Sequence, residues 1–408
     1  MQRTSTLPLV PSAGARHASW LELFFDLVAV AGVAQLARLL QGGPDAQDVA
    51  VYAVLFAAFW TAWISNTLYG DVAAEKTRTR TLLLGMFGLT VMAAAVHGVQ
   101  EGEHARAFAL AYVVARLFAN RVWQQRHQRV EGWPAARLTV GVAPWIASLW
   151  AVGERARLWL WTAGLLLDLV ITLAVPVGRR IRHGVPAPRR PPSRQHHGAA
   201  GPVPVTTAHL DNEHLAERLG LFILIVLGEG VYQLVEAASD TPWDRDLHLT
   251  APAAFLTLTL LWSLCLRRGH GGVPFLAPGS PVSAAVLALH CCTAAALAAL
   301  AAGLGGVVAG LDGPLHEQSS WVMAAGAGAY VVIAASVRAR TAPRAGRWLL
   351  VGVLPASALC AVVAATADSE SAVRQVWLIT ASVAWLSAAE LLVRRRRATA
   401  DAADGAGA

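Results

Sequence analysis

One stretch, Trp20–Leu40, limits what this chain can fold into. Its sequence, WLELFFDLVAVAGVAQLARLL, is long and apolar enough to cross a bilayer, yet it holds Glu22 and Asp26. A membrane-spanning helix needs about 20 apolar residues. A carboxylate at its centre costs roughly 2.5–3.5 kcal/mol on insertion scales. Residues four apart share one helical face. The two acids therefore point into a bundle or a wet cavity. There a counter-charge, a shared proton or a cation meets them.

The rest of the chain has the same character. It is 55% hydrophobic and 14% charged, against about 25% charged in soluble domains. Its apolar residues fall in blocks near 20 rather than in amphipathic stripes. The fold class is all-α: a polytopic transmembrane helix bundle of about 12 spans. The spans are expected at 20–40, 48–69, 80–99, 105–124, 136–153, 157–178, 212–236, 247–267, 282–310, 319–338, 346–367 and 373–393. Pro144 makes the fifth the weakest, and Gly303, Gly305, Gly306 and Gly310 mark the ninth as one that tilts or breaks.

Basic residues fix the expected orientation. With the N-terminus inside, the inside segments hold 25 of the 33 Lys and Arg, the outside loops hold five, and Arg38, Arg116 and Arg218 fall within spans. That alternation is the positive-inside pattern of a multi-pass protein of the cell (plasma) membrane, with both termini cytoplasmic. It is not the continuous basic patch that tracks phosphates, so the lipid bilayer is the expected partner and nucleic acid is not. Trp20, Trp123, Trp133, Trp243, Trp321, Trp348 and Trp377 lie near span ends, where interfacial anchors belong.

The Pro- and Arg-rich segment 179–211 cannot build a core and divides the spans six and six. The resulting domains are a cytoplasmic segment 1–18, a first six-helix half 19–178, the linker 179–211, a second half 212–395 and a disordered tail 396–408. An even number of spans per half means that the halves, if related, are parallel repeats. Each half opens on a span with an early carboxylate, Glu22 and Glu217. A plain linker between unrelated bundles fits the sequence as well.

Ionisable residues within spans are the candidates for function. Beyond Glu22 and Asp26 they are Asp168 near the middle of the sixth span, and His214, Glu217, Arg218 and Glu229 in the seventh. Arg218 is a cation placed to meet Glu22 or Asp26 if the two lead spans pack together. Arg116 is placed to neutralise one of the acids. Gly228 and Gly230 flank Glu229 and permit close helix approach or local unwinding. His97 and His290 read as packed polar groups, Glu390 as a surface partner of Arg394–Arg397, and the four cysteines as small buried hydrophobes. No second His–carboxylate pair matches His214 and Glu217, so no metal or other cofactor is expected. The chain lacks a Walker loop, a dinucleotide fingerprint, Gly-x-Ser-x-Gly and His-Glu-x-x-His, and is read as a non-enzyme.

Two stretches carry a family resemblance. Trp20-Leu21-Glu22-Leu23-Phe24-Phe25-Asp26-Leu27-Val28 resembles the opening of the bacterial low temperature requirement A family. His214-Leu215-Ala216-Glu217-Arg218-Leu219-Gly220-Leu221-Phe222, followed by Leu227-Gly228-Glu229, is similar to its second signature. Ala29 and Gly230 depart from the pattern. The resemblance implies a multi-pass membrane protein associated with growth in the cold, over residues 18–395. It carries over Glu22, Asp26, His214, Glu217, Arg218, Gly228 and Glu229 as signature positions without assigning them a reaction. From the residues, the leading expectation is a proton-coupled transporter or exchanger of a small molecule. Its carriers would be Glu22, Asp26, Asp168 and Glu229, and its counter-ion Arg218. The alternative is a non-transporting sensor or scaffold in which the same charges only hold helices together.

Overall fold

The fold is taken from a computed structural model. It describes residues 18–73, 79–125, 128–130, 140–174, 206–208, 211–267, 269, 284–311, 316–341 and 346–406. Most of the expected N-terminal segment and linker thus lie outside the described residues.

The chain is a bundle of helices. In order they are α1 (Trp20–Arg38), α2 (Ala46–Ala73), α3 (Thr79–Ala95), α4 (Ala105–Gln125), α5 (Val142–Ala147), α6 (Glu154–Ala174) and α7 (Asn212–Ser239). Then come α8 (Arg245–Trp262), α9 (Ala284–Ala309), α10 (His316–Thr341), α11 (Gly346–Trp348), α12 (Leu354–Ala365) and α13 (Ala372–Ala406). A π-helical turn, Ser263–Arg267, prolongs α8, and another, Leu349–Val353, joins α11 to α12. The one extended pairing among the described residues is a parallel ladder of β1 (Gln128–Val130) with β2 (Thr206–Ala208).

Among the described residues, eight helices are long and apolar enough to cross a membrane: α1, α2, α3, α7, α8, α9, α10 and α13. The count of twelve is not reached on those criteria. The 21-residue helices α4 and α6 lie beside the eight, and the π-turn plus α12 forms a shorter apolar segment.

The fifth expected span is corrected. Residues 140–153 hold only the six-residue α5, about 9 Å of helix at 1.5 Å per residue. Pro144 sits in its first turn, and Gly153 adopts φ 92° at the entry to α6. The ninth span is corrected too. α9 runs unbroken, because its glycines serve close packing. A Cβ at Gly303 would lie 2.4 Å from the Met323 nitrogen, and one on Gly326 of α10 would lie 2.6 Å from that of Leu300. Small residues let backbones approach in this way.

Trp20, Trp243, Trp321 and Trp377 are exposed near helix ends as anchors should be, but Trp348 is buried. The side chains of Trp123 and Trp133 lie outside the described residues. The backbone of α13 stays helical to Ala406, beyond 396, where a disordered tail was expected. Its Ala-rich end has high helix propensity.

Candidate functional site: a buried charge clasp between α1, α2 and α7

Local structure places the first two acids. Ser19 caps α1 in a capping box. Its Oγ accepts from the Glu22 amide at 3.3 Å, while the Glu22 carboxylate accepts from the Ser19 amide at 2.8 Å. Glu22 is thereby fixed in the first turn, and Asp26 follows one turn deeper on the same face. α7 begins alike. Asp211 caps it, accepting from the amides of Glu213 and His214. His214 and Arg218 occupy its first and second turns.

These two helix starts meet, and the end of α2 joins them. The Arg218 guanidinium donates through Nε to Asp26 Oδ2 at 2.9 Å and through Nη2 to Asp26 Oδ1 at 2.7 Å. Its Nη1 is 3.5 Å from Glu22 Oε1. The paired geometry suits a planar guanidinium facing a carboxylate. The His214 ring stands between two acids: Nδ1 is 2.8 Å from Asp71 Oδ1, and Nε2 is 3.5 Å from Glu22 Oε2. Asp71 also accepts from the Asp211 amide at 2.9 Å. Trp63 of α2 donates its Nε1–H to Asp26 Oδ1 at 2.9 Å. All five charged or titratable residues are at most 3% exposed. Gly70 lets α2 approach, since a Cβ there would lie 3.3 Å from Glu22 Oε1.

An aromatic layer closes the clasp on the bundle side. Trp63 lies 4.2 Å from the Phe222 ring and stacks on His290 at 6.2 Å. His290 donates from Nε2 to the Leu219 carbonyl at 2.9 Å and accepts from Trp60 Nε1 at 3.1 Å, which fixes its neutral tautomer. It is the packed polar group the sequence suggested. His97 is exposed instead, at the end of α3.

The other candidate acids lie apart. Asp168 of α6 accepts from Arg116 Nη2 of α4 at 2.6 Å and from the Gly141 amide at 3.1 Å. Arg116 Nη1 donates to Ser65 Oγ of α2 at 2.5 Å. Only glycine fits at 141, where a Cβ would fall 2.1 Å from Asp168 Oδ1. Trp145 and Trp161 stack beside this lock at 5.0 Å. Glu229 is half-buried and accepts from Gln233 Nε2 at 3.2 Å. It lies eleven residues beyond Arg218, about 16 Å along the axis. Glu217 is half-buried and one residue off the face that carries His214 and Arg218. Asp168 and Glu229 thus have partners other than the clasp residues.

Three further readings change. α7 is continuous through Gly228 and Gly230. Gly230 is a packing glycine, its Cβ position 2.9 Å from Ala301, whereas Gly228 meets nothing within 4 Å. Glu390 is fully buried and pairs with Arg338 of α10 at 3.4 Å, because α13 carries it inside rather than to the surface. Cys265 and Cys360 are buried, but Cys292 is exposed. Among the described residues no group of three His, Cys, Asp or Glu is arranged to hold a metal ion.

Asp71 and Trp63 escaped the sequence reading. Asp71 lies two residues past the expected end of its span, where nothing singled it out. The polar run Ser65-Asn66-Thr67, ahead of Tyr69-Gly70-Asp71 in an apolar helix, was the available signal.

Glu22, Asp26, His214 and Arg218 lie in the two stretches that carry the family resemblance. A family model for the bacterial low temperature requirement A protein matches residues 17–395. The chain belongs to the bacterial low temperature requirement A family. A relative within reach is an uncharacterised protein of Rhizobium meliloti (strain 1021), 30% identical over 275 residues. The match covers 62% of this chain and 59% of that relative, so the chain spans under two thirds of its length. No solved structure matches. In this low temperature requirement A chain, then, the beginnings of those two stretches meet at one contact between α1 and α7.

Proposed function

We propose that this protein is a proton-linked transporter or exchanger of a small molecule, in which the clasp couples protonation to movement of α7 against α1 and α2. The observation that carries the reading is the His214 ring, with a carboxylate facing each nitrogen and each carboxylate on a different helix. A protonated imidazole donates from both nitrogens. It then ties α7 to Asp71 and Glu22 at once. When it loses the proton, one nitrogen becomes an acceptor facing a carboxylate, and that tie becomes repulsive. One proton thus changes two contacts among three helices. Arg218 stays charged throughout and holds Asp26 as the fixed counter-ion. Asp168 and Glu229 are left out of the coupling set because they lie away from this contact. The membrane is the cell membrane and the clasp end is cytoplasmic, as the distribution of Arg implies.

The test is proton movement in proteoliposomes with a trapped pH-sensitive dye. Panels of amino acids, polyamines, nucleosides and sugars are added in turn. One class is expected to drive proton flux in the native chain and none in His214→Gln. Silence of every class in a folded, oriented preparation would overturn the proposal.

A second reading has its own support. The two-pronged contact of Arg218 with Asp26 is the geometry of a structural pair, and a sensor or scaffold that supports the envelope in the cold needs no more. In that case Glu22→Gln and His214→Gln lower thermal stability and leave no flux phenotype.

A further inference from the structure

The two ends of the chain repeat one wiring. In the first part α1 touches α2 and α3, α3 touches α2 and α4, α4 touches α5, and α6 packs on α2 and α5. In the second part α7 touches α8 and α9, α9 touches α8 and α10, α10 touches α12, and α13 packs on α8 and α12. These neighbours correspond when α11, its π-turn and α12 count as one interrupted fifth element, while α2 also packs on α4 and α13 also packs on α9 and α10 without a comparable contact in the other part. The first part has an interrupted fifth element too, the six-residue α5.

Side chains repeat as well. In each part an arginine on the fourth element meets a carboxylate on the sixth: Arg116 with Asp168 at 2.6 Å and Arg338 with Glu390 at 3.4 Å. Each guanidinium also lies over an aromatic ring, Tyr112 at 5.9 Å and Trp348 at 5.8 Å. Finally, the lead helices agree in register from their caps. Three and seven residues after Ser19 stand Glu22 and Asp26. Three and seven residues after Asp211 stand His214 and Arg218. This register replaces the pairing of Glu22 with Glu217 that the sequence suggested.

We infer that the chain is a tandem pair of one six-element unit, and that the α1–α2 face of the first unit is a docking surface whose partner is α7 of the second. The equivalent positions carry opposite charge, and they are the positions that touch: Glu22 with His214 and Asp26 with Arg218. Two identical units meeting there would set acid against acid or base against base, which is unfavourable in a low dielectric. Acids on one unit and bases on the other make the contact complementary only between unlike halves. The Arg–carboxylate pairs inside each half then hold the units, and the clasp, with the packing of α9 on α1, α2 and α6 beside it, holds the units to each other. Asp71 of α2 gives His214 an additional partner and marks where the copies have diverged. This inference stands whether or not the protein transports anything.

The test uses the full chain with a specific protease site placed within 179–211, purified in mild detergent and cleaved. Native mass spectrometry then asks whether the fragments remain one particle. The native chain is expected to stay together. The charge-free variant Glu22→Gln, Asp26→Asn, His214→Gln, Arg218→Gln is expected to lose the joint particle while each fragment keeps its helical circular dichroism. Asp26→Arg alone is expected to separate the fragments, and adding Arg218→Asp to recover the joint particle. Arg116→Met with Asp168→Leu leaves the particle joined and lowers the melting temperature of the first fragment only. The inference is overturned if the charge-free fragments stay together like the native ones, if either unfolds on release, or if the exchanged pair recovers nothing.

Discussion

The clasp and the Arg116–Asp168 lock are built from the same parts and differ in one. Each buries an arginine against an aspartate from a distant helix, and each adds a neutral partner, Trp63 donating to the aspartate in one case and Ser65 accepting from the arginine in the other. The lock completes its aspartate with a backbone amide, that of Gly141. The clasp has an imidazole between two further carboxylates. A guanidinium keeps its charge at any working pH and a backbone amide does not titrate, so the lock has one state. An imidazole can gain or lose a proton, so the clasp has two. Burial alone therefore does not separate structural from convertible charges; the chemistry of the partner does.

Four experiments sharpen that contrast. The largest effect is expected from Arg218→Gln, which strands Asp26 in the core. Removing one partner of a buried pair costs about 3–5 kcal/mol, read as a loss of thermal stability in detergent that Asp26→Asn partly restores. Gly141→Ala comes next. Its methyl would displace Asp168, and an unsatisfied buried group costs about 1–3 kcal/mol. Melting should fall, with the clasp cross-contact between α1 and α7 unchanged. Third is pH. As pH rises and His214 gives up its proton, the α1–α7 contact should loosen in hydrogen exchange, while amides around Gly141 keep their protection. His214→Gln should flatten the pH response of the first region and leave the second alone. The smallest effect is expected from Ser65→Ala, which removes one donor–acceptor pair at the lock and costs about 0.5–1.5 kcal/mol. A pH response at the lock equal to that at the clasp would erase the distinction between them.

Much of the helical layout was legible because it follows from length and apolar content. α1, α2, α3, α7, α8, α9 and α10 lie close to the expected spans, since a run near 20 apolar residues has few alternatives in lipid. The failures have local causes. Residues 136–153 are apolar enough to suggest a span, but Pro144 and the fit of Gly141 against Asp168 limit α5 to six residues. The glycines of α9 looked like breaks because their role depends on α10, which no local pattern reveals. Glu22, Asp26, His214 and Arg218 could be nominated from sequence because charge in an apolar helix is conspicuous. Their partners could not be assigned, because pairing depends on which helices touch. Glu390 shows the same limit from the other side, as an acid near a helix end that read as a surface group until packing buried it, and Asp71, also buried, drew no reading at all.

The most direct measurement is a double-mutant cycle between Glu22→Gln and His214→Gln on unfolding free energy, run at pH 6 and at pH 10. Directly interacting residues couple by about 0.5–3 kcal/mol. The expected result is favourable coupling at pH 6 that falls toward zero or changes sign at pH 10. No coupling at either pH, or equal coupling at both, would contradict a convertible clasp between α1 and α7.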